Sequence, residues 1–168
     1  MIRSINGKTP RIARSAFISE AAYVIGDVTI GKNSSVWPMA VIRADFGSIK
    51  IGANTKIEDG TIVHSGEPVE IGDNVTLGHS VVMHGAKIGN NTLIGNNATI
   101  LDDAEIGSFC MIAAGSLVSP SMKIPDGSFV VGAPAEIKRK ISPGQLKRLK
   151  AGSQVYIELA RQYKEQGL

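Results

Sequence analysis

Aliphatic residues recur at every sixth position along most of this chain. The series opens at Ile12 and runs through Ile18, Val24, Ile30, Val36 and Ile42. It slips by three residues to Ile51, Ile57 and Val63, then by two to Ile71, Leu77 and Met83. A one-residue deletion resets it to Ile88, and Ile94, Ile100, Ile106, Ile112, Val118, Ile124 and Val130 follow without a break. Glycine comes directly after seven of these positions, at Gly31, Gly52, Gly72, Gly78, Gly89, Gly95 and Gly107.

An amphipathic helix repeats near every 3.6 residues and a half-buried strand every 2. A period of six suits a chain wound into a coil, each short flat side turning one aliphatic residue inward and small residues taking the corners. Three sides close a triangular coil of about 18 residues, and coils stacked about 4.8 Å apart pair as parallel strands. Twenty inward positions, three to a coil, predict six to seven coils. The frame slips predict loops leaving the prism at residues 46–50 and 65–70. The tail obeys another rule. Ser142, Pro143 and Gln145 have the order of a serine cap, a first-turn proline and a capping-box glutamine. Leu146, Leu149, Val155, Tyr156, Leu159 and Tyr163 then fall at helical spacing, and Gly167 lies just past the expected end.

Over residues 11–135 the pattern resembles the hexapeptide-repeat, left-handed parallel β-helix. The left hand is implied by the resemblance alone, and it departs from the usual right-handed crossover. The expected fold class is all-β: six to seven triangular coils and one C-terminal α-helix. Residues 1–135 form the β-helix domain, and residues 136–168 a tail and helix packed on it or on a neighbouring subunit.

Composition narrows the picture. Cys110 is the only cysteine, so no internal disulfide forms, which fits a reducing, cytoplasmic setting and a small core residue. No signal peptide and no apolar run long enough to span a bilayer are present, so no membrane association is expected. The net charge is +3, and much of the basic excess lies in the tail at Lys138, Arg139, Lys140, Lys147, Arg148 and Lys150, read as a solvated helix face. No basic stripe is interleaved with aromatics, so nucleic acid is a poor partner.

All three histidines, His64, His79 and His84, fall between Val63 and Gly85. The plain alternative is three polar residues on strand surfaces. The repeat argues for more. His64 follows inward Val63, and His84 follows Met83, the inward position one coil later. They therefore occupy the same place on adjacent coils, about 5 Å apart at the backbone. His79, two residues after Leu77, has another phase. The five residues from His79 to His84 span at most about 16 Å, and their alternating side chains do not bring the two together. One chain does not close a three-histidine site, whereas a threefold arrangement does, with His64 and His84 from one subunit and His79 from the next. Three histidines with an open position make a catalytic zinc set; iron(II), cobalt and nickel suit it too.

The motifs 41–45 (VIRAD), 57–60 (IEDG) before Val63-His64, and 78–80 (GHS) before His84-Gly85 resemble the gamma-class carbonic anhydrases, a trimeric branch of the hexapeptide-repeat proteins. The resemblance implies reversible hydration of carbon dioxide to bicarbonate by a metal-activated water. It implies His64, His79 and His84 as ligands across a subunit boundary, Arg43 and Asp45 paired across the interface beside them, and a homotrimer. Two positions depart from the family, which usually has asparagine at Lys56 and glutamine at Glu58. Glu58 would then hold the nucleophile, act as a base or repel bicarbonate, and Arg43 would supply positive charge and orient Asp45. Phe46 stands where an acidic residue is common, and Glu67 and Glu70 could replace a lost proton-transfer function. Three other readings stay open: an acyl-CoA thioesterase using the same metal, a CoA-dependent acyltransferase without metal, and a metal-binding trimeric scaffold without turnover. Trp37 and Phe109 are read as packing residues, Tyr156 as a helix-packing residue that could also reach the metal pocket from the tail, Asn90, Asn91, Asn96 and Asn97 as left-handed corners, and Asp102 and Asp103 as solvated turns.

Overall fold

The computed structural model describes residues 1–151 and 154–168. Its chain winds as a three-sided prism. Face I carries residues 23–26 and 41–44 and the strands Ile62–His64, Val82–His84, Thr99–Ile100 and Leu117–Val118. Face II carries Arg11–Ile12, residues 28–30 and 49–51, Val69–Ile71, Lys87–Ile88, Glu105–Ile106 and Lys123–Ile124. Face III is an eight-stranded sheet, and removing its one antiparallel member leaves seven parallel strands, one per coil. The protein is thus a parallel β-solenoid of about seven turns, as the repeat predicts.

The inward series is the core. Every position is buried except Ile12 and Ile18 in the first coil, which are partly buried against it. The glycines after these positions answer to coil spacing. A Cβ on Gly52 would sit 2.6 Å from the Gly72 carbonyl carbon, and one on Gly89 2.6 Å from the Ser108 nitrogen. Side chains also pin coil to coil at the corner between faces II and III. Asp73 accepts the Ala53 N–H (2.7 Å), Asn90 that of Asp73 (2.7 Å), Ser108 that of Asn90 (3.0 Å) and Asp126 that of Ser108 (2.8 Å). Of Asn90, Asn91, Asn96 and Asn97, only Asn91 and Asn97 have positive φ (56° and 58°). Asn90 and Asn96 serve instead as acceptors from the preceding coil.

The insertions differ from expectation. Residues 46–50 do not leave the prism. They lie within the strand Val41–Ile51, which turns from face I onto face II, and the extra residues form a bulge where Ala44 faces Gly26 but Ile49 faces Val28. The bulge throws Phe46 outward, 71% exposed. The second insertion is a turn over residues 65–68, and Glu70 is already back in the strand Val69–Ile71.

The faces differ in what they show to solvent. Face II presents Lys50, Glu70, Lys87, Glu105 and Lys123 in register, with ion pairs at Lys50–Glu70 (4.0 Å) and Glu105–Lys123 (3.6 Å). Face I presents Val41, Ile62, Val82 and Leu117, of which Ile62 and Val82 are exposed.

The tail starts with a strand that the repeat does not announce. Glu136–Lys140 pairs antiparallel with Ser128–Val131 and closes the C-terminal edge of face III. Lys138, Arg139 and Lys140 therefore lie on a strand and not on a helix face. Helical segments α1 (Pro143–Ala151) and α2 (Gln154–Glu165) follow; continuity through residues 152–153 lies outside the described residues. The capping box forms, with Gln145 N–H donating to Ser142 Oγ (3.2 Å) and Ser142 N–H to Gln145 Oε1 (2.8 Å). Helix α2 packs on the same chain's prism. Tyr163 meets Phe17 and Trp37 edge-on at 5.7 and 5.2 Å, and Tyr156 meets Trp37 at 5.7 Å. Among the described residues no helix is long and apolar enough to cross a membrane.

Candidate metal centre

Face I has two long edges, and the sequence-selected residues divide between them. His64 and His84 lie at its edge with face II. They are direct partners in neighbouring parallel strands, with ring centroids 5.4 Å apart. Arg43 is the register partner of His64 one coil earlier. Its guanidinium pairs with Asp45 inside the same chain, because residues two apart in a strand point to one side. Asp45 also lies 3.0 Å from His64 Nε2. Burial pushes the Asp45 carboxyl up, but hydrogen bonds from Arg43, its own backbone and His64, together with the Arg43 charge, hold it below the usual carboxylate range. The Phe46 ring lies 6.1 Å from that of His64. One coil on, Asp102 lies 2.7 Å from His84 Nδ1.

His79 stands at the opposite edge, between faces III and I. Its backbone N–H donates to Asn96 Oδ1 (3.1 Å). Its Nδ1 lies 3.1 Å from Asp59, and its Nε2 lies 3.4 Å from Glu58. Glu58 is inside the fold, with its side chain 8% exposed. Lys56 and Tyr156 crowd it. The Lys56 ammonium sits 3.9 Å from the centre of the Tyr156 ring. Burial lowers the Lys56 pKa, the Glu58 charge opposes that, and Arg148 adds to it. Burial raises the Tyr156 phenol, and the Glu58 charge and hydrogen bond and the Asp59 charge raise it further.

These donors fit a divalent ion as two parts of a site. Carboxylates on the Nδ1 atoms of His84 and His79 orient the rings, the usual arrangement behind metal-binding histidines; this leaves Nε2 of His84 for a ligand, while Nε2 of His79 has Glu58 3.4 Å away. His64 differs, because Asp45 already faces its Nε2. Within one chain, no group of three His, Cys, Asp or Glu side chains is placed to hold an ion among the described residues.

A cleft of about 500 Å³ opens beside Glu58 and His79, floored by face III and flanked by α1 and Tyr156.

Residues 85–120 match the family model described as bacterial transferase hexapeptide (six repeats). A structure of a hexapeptide transferase family protein from Anaplasma phagocytophilum is 36% identical, superposes with a TM-score of 0.94, and is covered over 97% of its chain by 96% of this one. The chain belongs to the hexapeptide-repeat family. A second hexapeptide-fold neighbour, a putative acetyltransferase from Bacillus cereus, is 37% identical with a TM-score of 0.96, over 98% of this chain and 97% of that one. Within the family, this chain is 39% identical to a protein named gamma carbonic anhydrase 2, mitochondrial, from Arabidopsis thaliana, over 95% of this chain and 60% of the relative. The chain spans about three fifths of the length of the two Arabidopsis thaliana gamma carbonic anhydrases that it matches over 95% of its own length.

Several site neighbours escaped the sequence reading. Asp102, expected as a solvated turn, lies 18 residues after His84, one coil away, so the repeat held the signal. Asp59, in the segment 57–60, has no role that its sequence position announces. Tyr156 does both things the sequence allowed, packing on Trp37 and reaching Glu58. Glu70 lies outward on face II, 4.0 Å from Lys50.

Proposed function

We propose that this chain is a metal-dependent lyase of the gamma-carbonic anhydrase type, hydrating carbon dioxide reversibly to bicarbonate as a homotrimer. His64 and His84 of one subunit and His79 of the next would hold the ion. The observation that supports this most is their division: two imidazoles in direct register at one edge of face I, and the third held by Asp59 and Asn96 at the other. A boundary that joins unlike edges of two copies would unite them and cover the apolar stripe of Ile62 and Val82. Zinc or a similar dication, when bound, lowers the pKa of a coordinated water to about 7. The chain's own groups orient and charge the site. Asp45, paired with Arg43, stays ionised and accepts hydrogen bonds. The Arg43 guanidinium attracts the bicarbonate anion. Glu58, held by Tyr156, accepts a hydrogen bond from the reacting water.

Subunit mixing tests the arrangement. His64→Ala and His79→Ala trimers should each lose most of their metal and activity. Trimers assembled from both chains should recover part of each, since a boundary pairing an intact His64–His84 edge with an intact His79 reappears. No recovery in mixed trimers of verified composition overturns the shared site.

The open cleft at Lys56 and Glu58 favours one second reading, hydrolysis of an acyl thioester at the same centre. Water would add to the carbonyl carbon, the carbon–sulfur bond would break, and the thiol would leave with a proton. Acyl-CoA turnover without carbon dioxide hydration would select it.

A further inference from the structure

Face III carries an outward stripe that changes character along the prism. Below Lys56 come Thr76, Leu93, Met111 and Phe129, one per coil and in register. From Thr76 to Phe129 is three coil spacings, about 14 Å. Helix α2 covers Phe17 and Trp37 near the start of the same face, but the lower stripe floors the cleft of about 500 Å³. That volume is in the range of small-molecule sites, which pair an apolar lining with a few placed polar groups. Arg148 of α1 is on the cleft wall and, among the described residues, has no ion-pair partner within 4 Å, whereas Lys138 and Arg161 on the same tail are paired with Glu136 and Glu158. Arg139, 4.4 Å over the Phe129 ring, is held by a hydrogen bond to Gln145; Arg148 on the wall, over an apolar floor, complements one negative charge on an apolar body. It does not match the repeated charges of a nucleic acid backbone.

We infer that this cleft binds a medium-length aliphatic chain bearing one anionic group, the chain lying on Leu93, Met111 and Phe129 and the anion at Arg148. A chain of about ten carbons fits the 14 Å floor. The site goes beyond the proposed reaction and needs no bound metal. It rests on that reading only for what lies at its upper end, since the ligand reaches the Glu58–His79 edge and would lie against the metal centre.

Decanoate is the probe, titrated calorimetrically into the full-length protein with and without zinc. Trp37, the only tryptophan, lies 5.7 Å from Tyr156 on the cleft wall and reports occupancy by its emission. We expect one decanoate per chain, with decyltrimethylammonium at least tenfold weaker. Arg148→Glu should weaken decanoate at least tenfold, and Lys150→Glu, the same change of charge away from the cleft, less than twofold. Leu93→Trp, which fills the floor from an outward position, should abolish binding with the circular-dichroism spectrum unchanged. Equal affinity for the anion and the cation, equal loss in the two charge variants, or normal binding by Leu93→Trp each overturns the site. Metal content and carbon dioxide hydration on the same samples keep the two readings apart. A protein that binds decanoate but neither metal nor carbon dioxide refutes the lyase and leaves the cleft. One that holds metal, hydrates carbon dioxide and ignores decanoate does the reverse.

Discussion

Replacing Asp102 is the sharpest probe of the metal centre, because Asp102 would touch the ion only through another side chain. Its carboxylate lies 2.7 Å from His84 Nδ1. That contact fixes the ring and makes the opposite nitrogen more basic. Losing such a partner weakens metal binding by about 10- to 100-fold, or about 1.4 to 2.7 kcal/mol. Asp102 is 54% exposed on its side chain, so water replaces part of what Asp102→Ala removes, and the expected loss is near tenfold. Asp102→Asn keeps an acceptor and loses the charge. Since charged hydrogen bonds are roughly twice as strong as neutral ones, it should cost about half as much free energy, about threefold. Asp103→Asn is the control, because Asp103 has φ 58°, a conformation asparagine accepts, and its carboxylate faces no histidine. Zinc affinity would be measured by competition with a chelator at fixed pH, with secondary structure monitored in parallel. Wild-type affinity in both Asp102 variants, while His84→Ala loses its metal, would refute the orienting role. Wild-type affinity in all of them would remove His84 from the site.

Other outcomes follow from the same geometry. Glu58→Gln should raise carbon dioxide hydration and move the pH optimum down by about one unit, because a nearby negative charge disfavours ionisation of the reacting water; a fall in rate at equal metal content makes Glu58 a general base instead. Ile100→Ala, fully buried between Met83 and Val118 in the stacked coils, should destabilise the protein by about 2–5 kcal/mol, read as a lower urea midpoint with the slope unchanged. At Asp27, hydrogen bonding by Lys8, opposed by desolvation and aided by the Lys8 charge and by the Arg11 hydrogen bond and charge, lowers the carboxyl below 3.8. A depressed carboxyl binds fewer protons folded than unfolded, so its stabilising effect is complete above pH 3.8 and fades as pH falls through the lower folded value. Its carboxyl carbon resonance should titrate below 3.8 in the wild type and near 3.8 when both Lys8 and Arg11 are alanine.

The repeat made the solenoid readable, since one inward aliphatic per side is enough to set coil number and register. It also placed His64 over His84, because both questions reduce to counting residues between equivalent positions. The same count reaches Asp102 from His84, but an aspartate in a turn has an ordinary explanation, and only the contact singles it out. The strand Glu136–Lys140 was not legible, because its sequence EIKRK has no buried alternation and its pairing depends on an available edge. The cleft was not legible either. It exists because α2 is anchored on Phe17 and Trp37 while α1 stands off the lower coils, and no periodicity in the chain encodes that offset. The insertion at residues 46–50 was located by its three-residue slip, but the slip cannot say whether extra residues loop out or bulge within a strand.

The alternating stripe of Lys50, Glu70, Lys87, Glu105 and Lys123 on face II gives the solenoid a parity. From Lys50 to Lys123 each coil contributes one charge, and each sign depends on its neighbour. Cutting out the coil that carries Lys87 would set Glu70 against Glu105, and like charges directly opposite on a sheet repel. Cutting out the coils of both Lys87 and Glu105 would set Glu70 against Lys123 and restore the pattern. On this face the prism can therefore be shortened or lengthened by pairs of coils more readily than by one. The core, with near-identical aliphatics at every level, imposes no such rule.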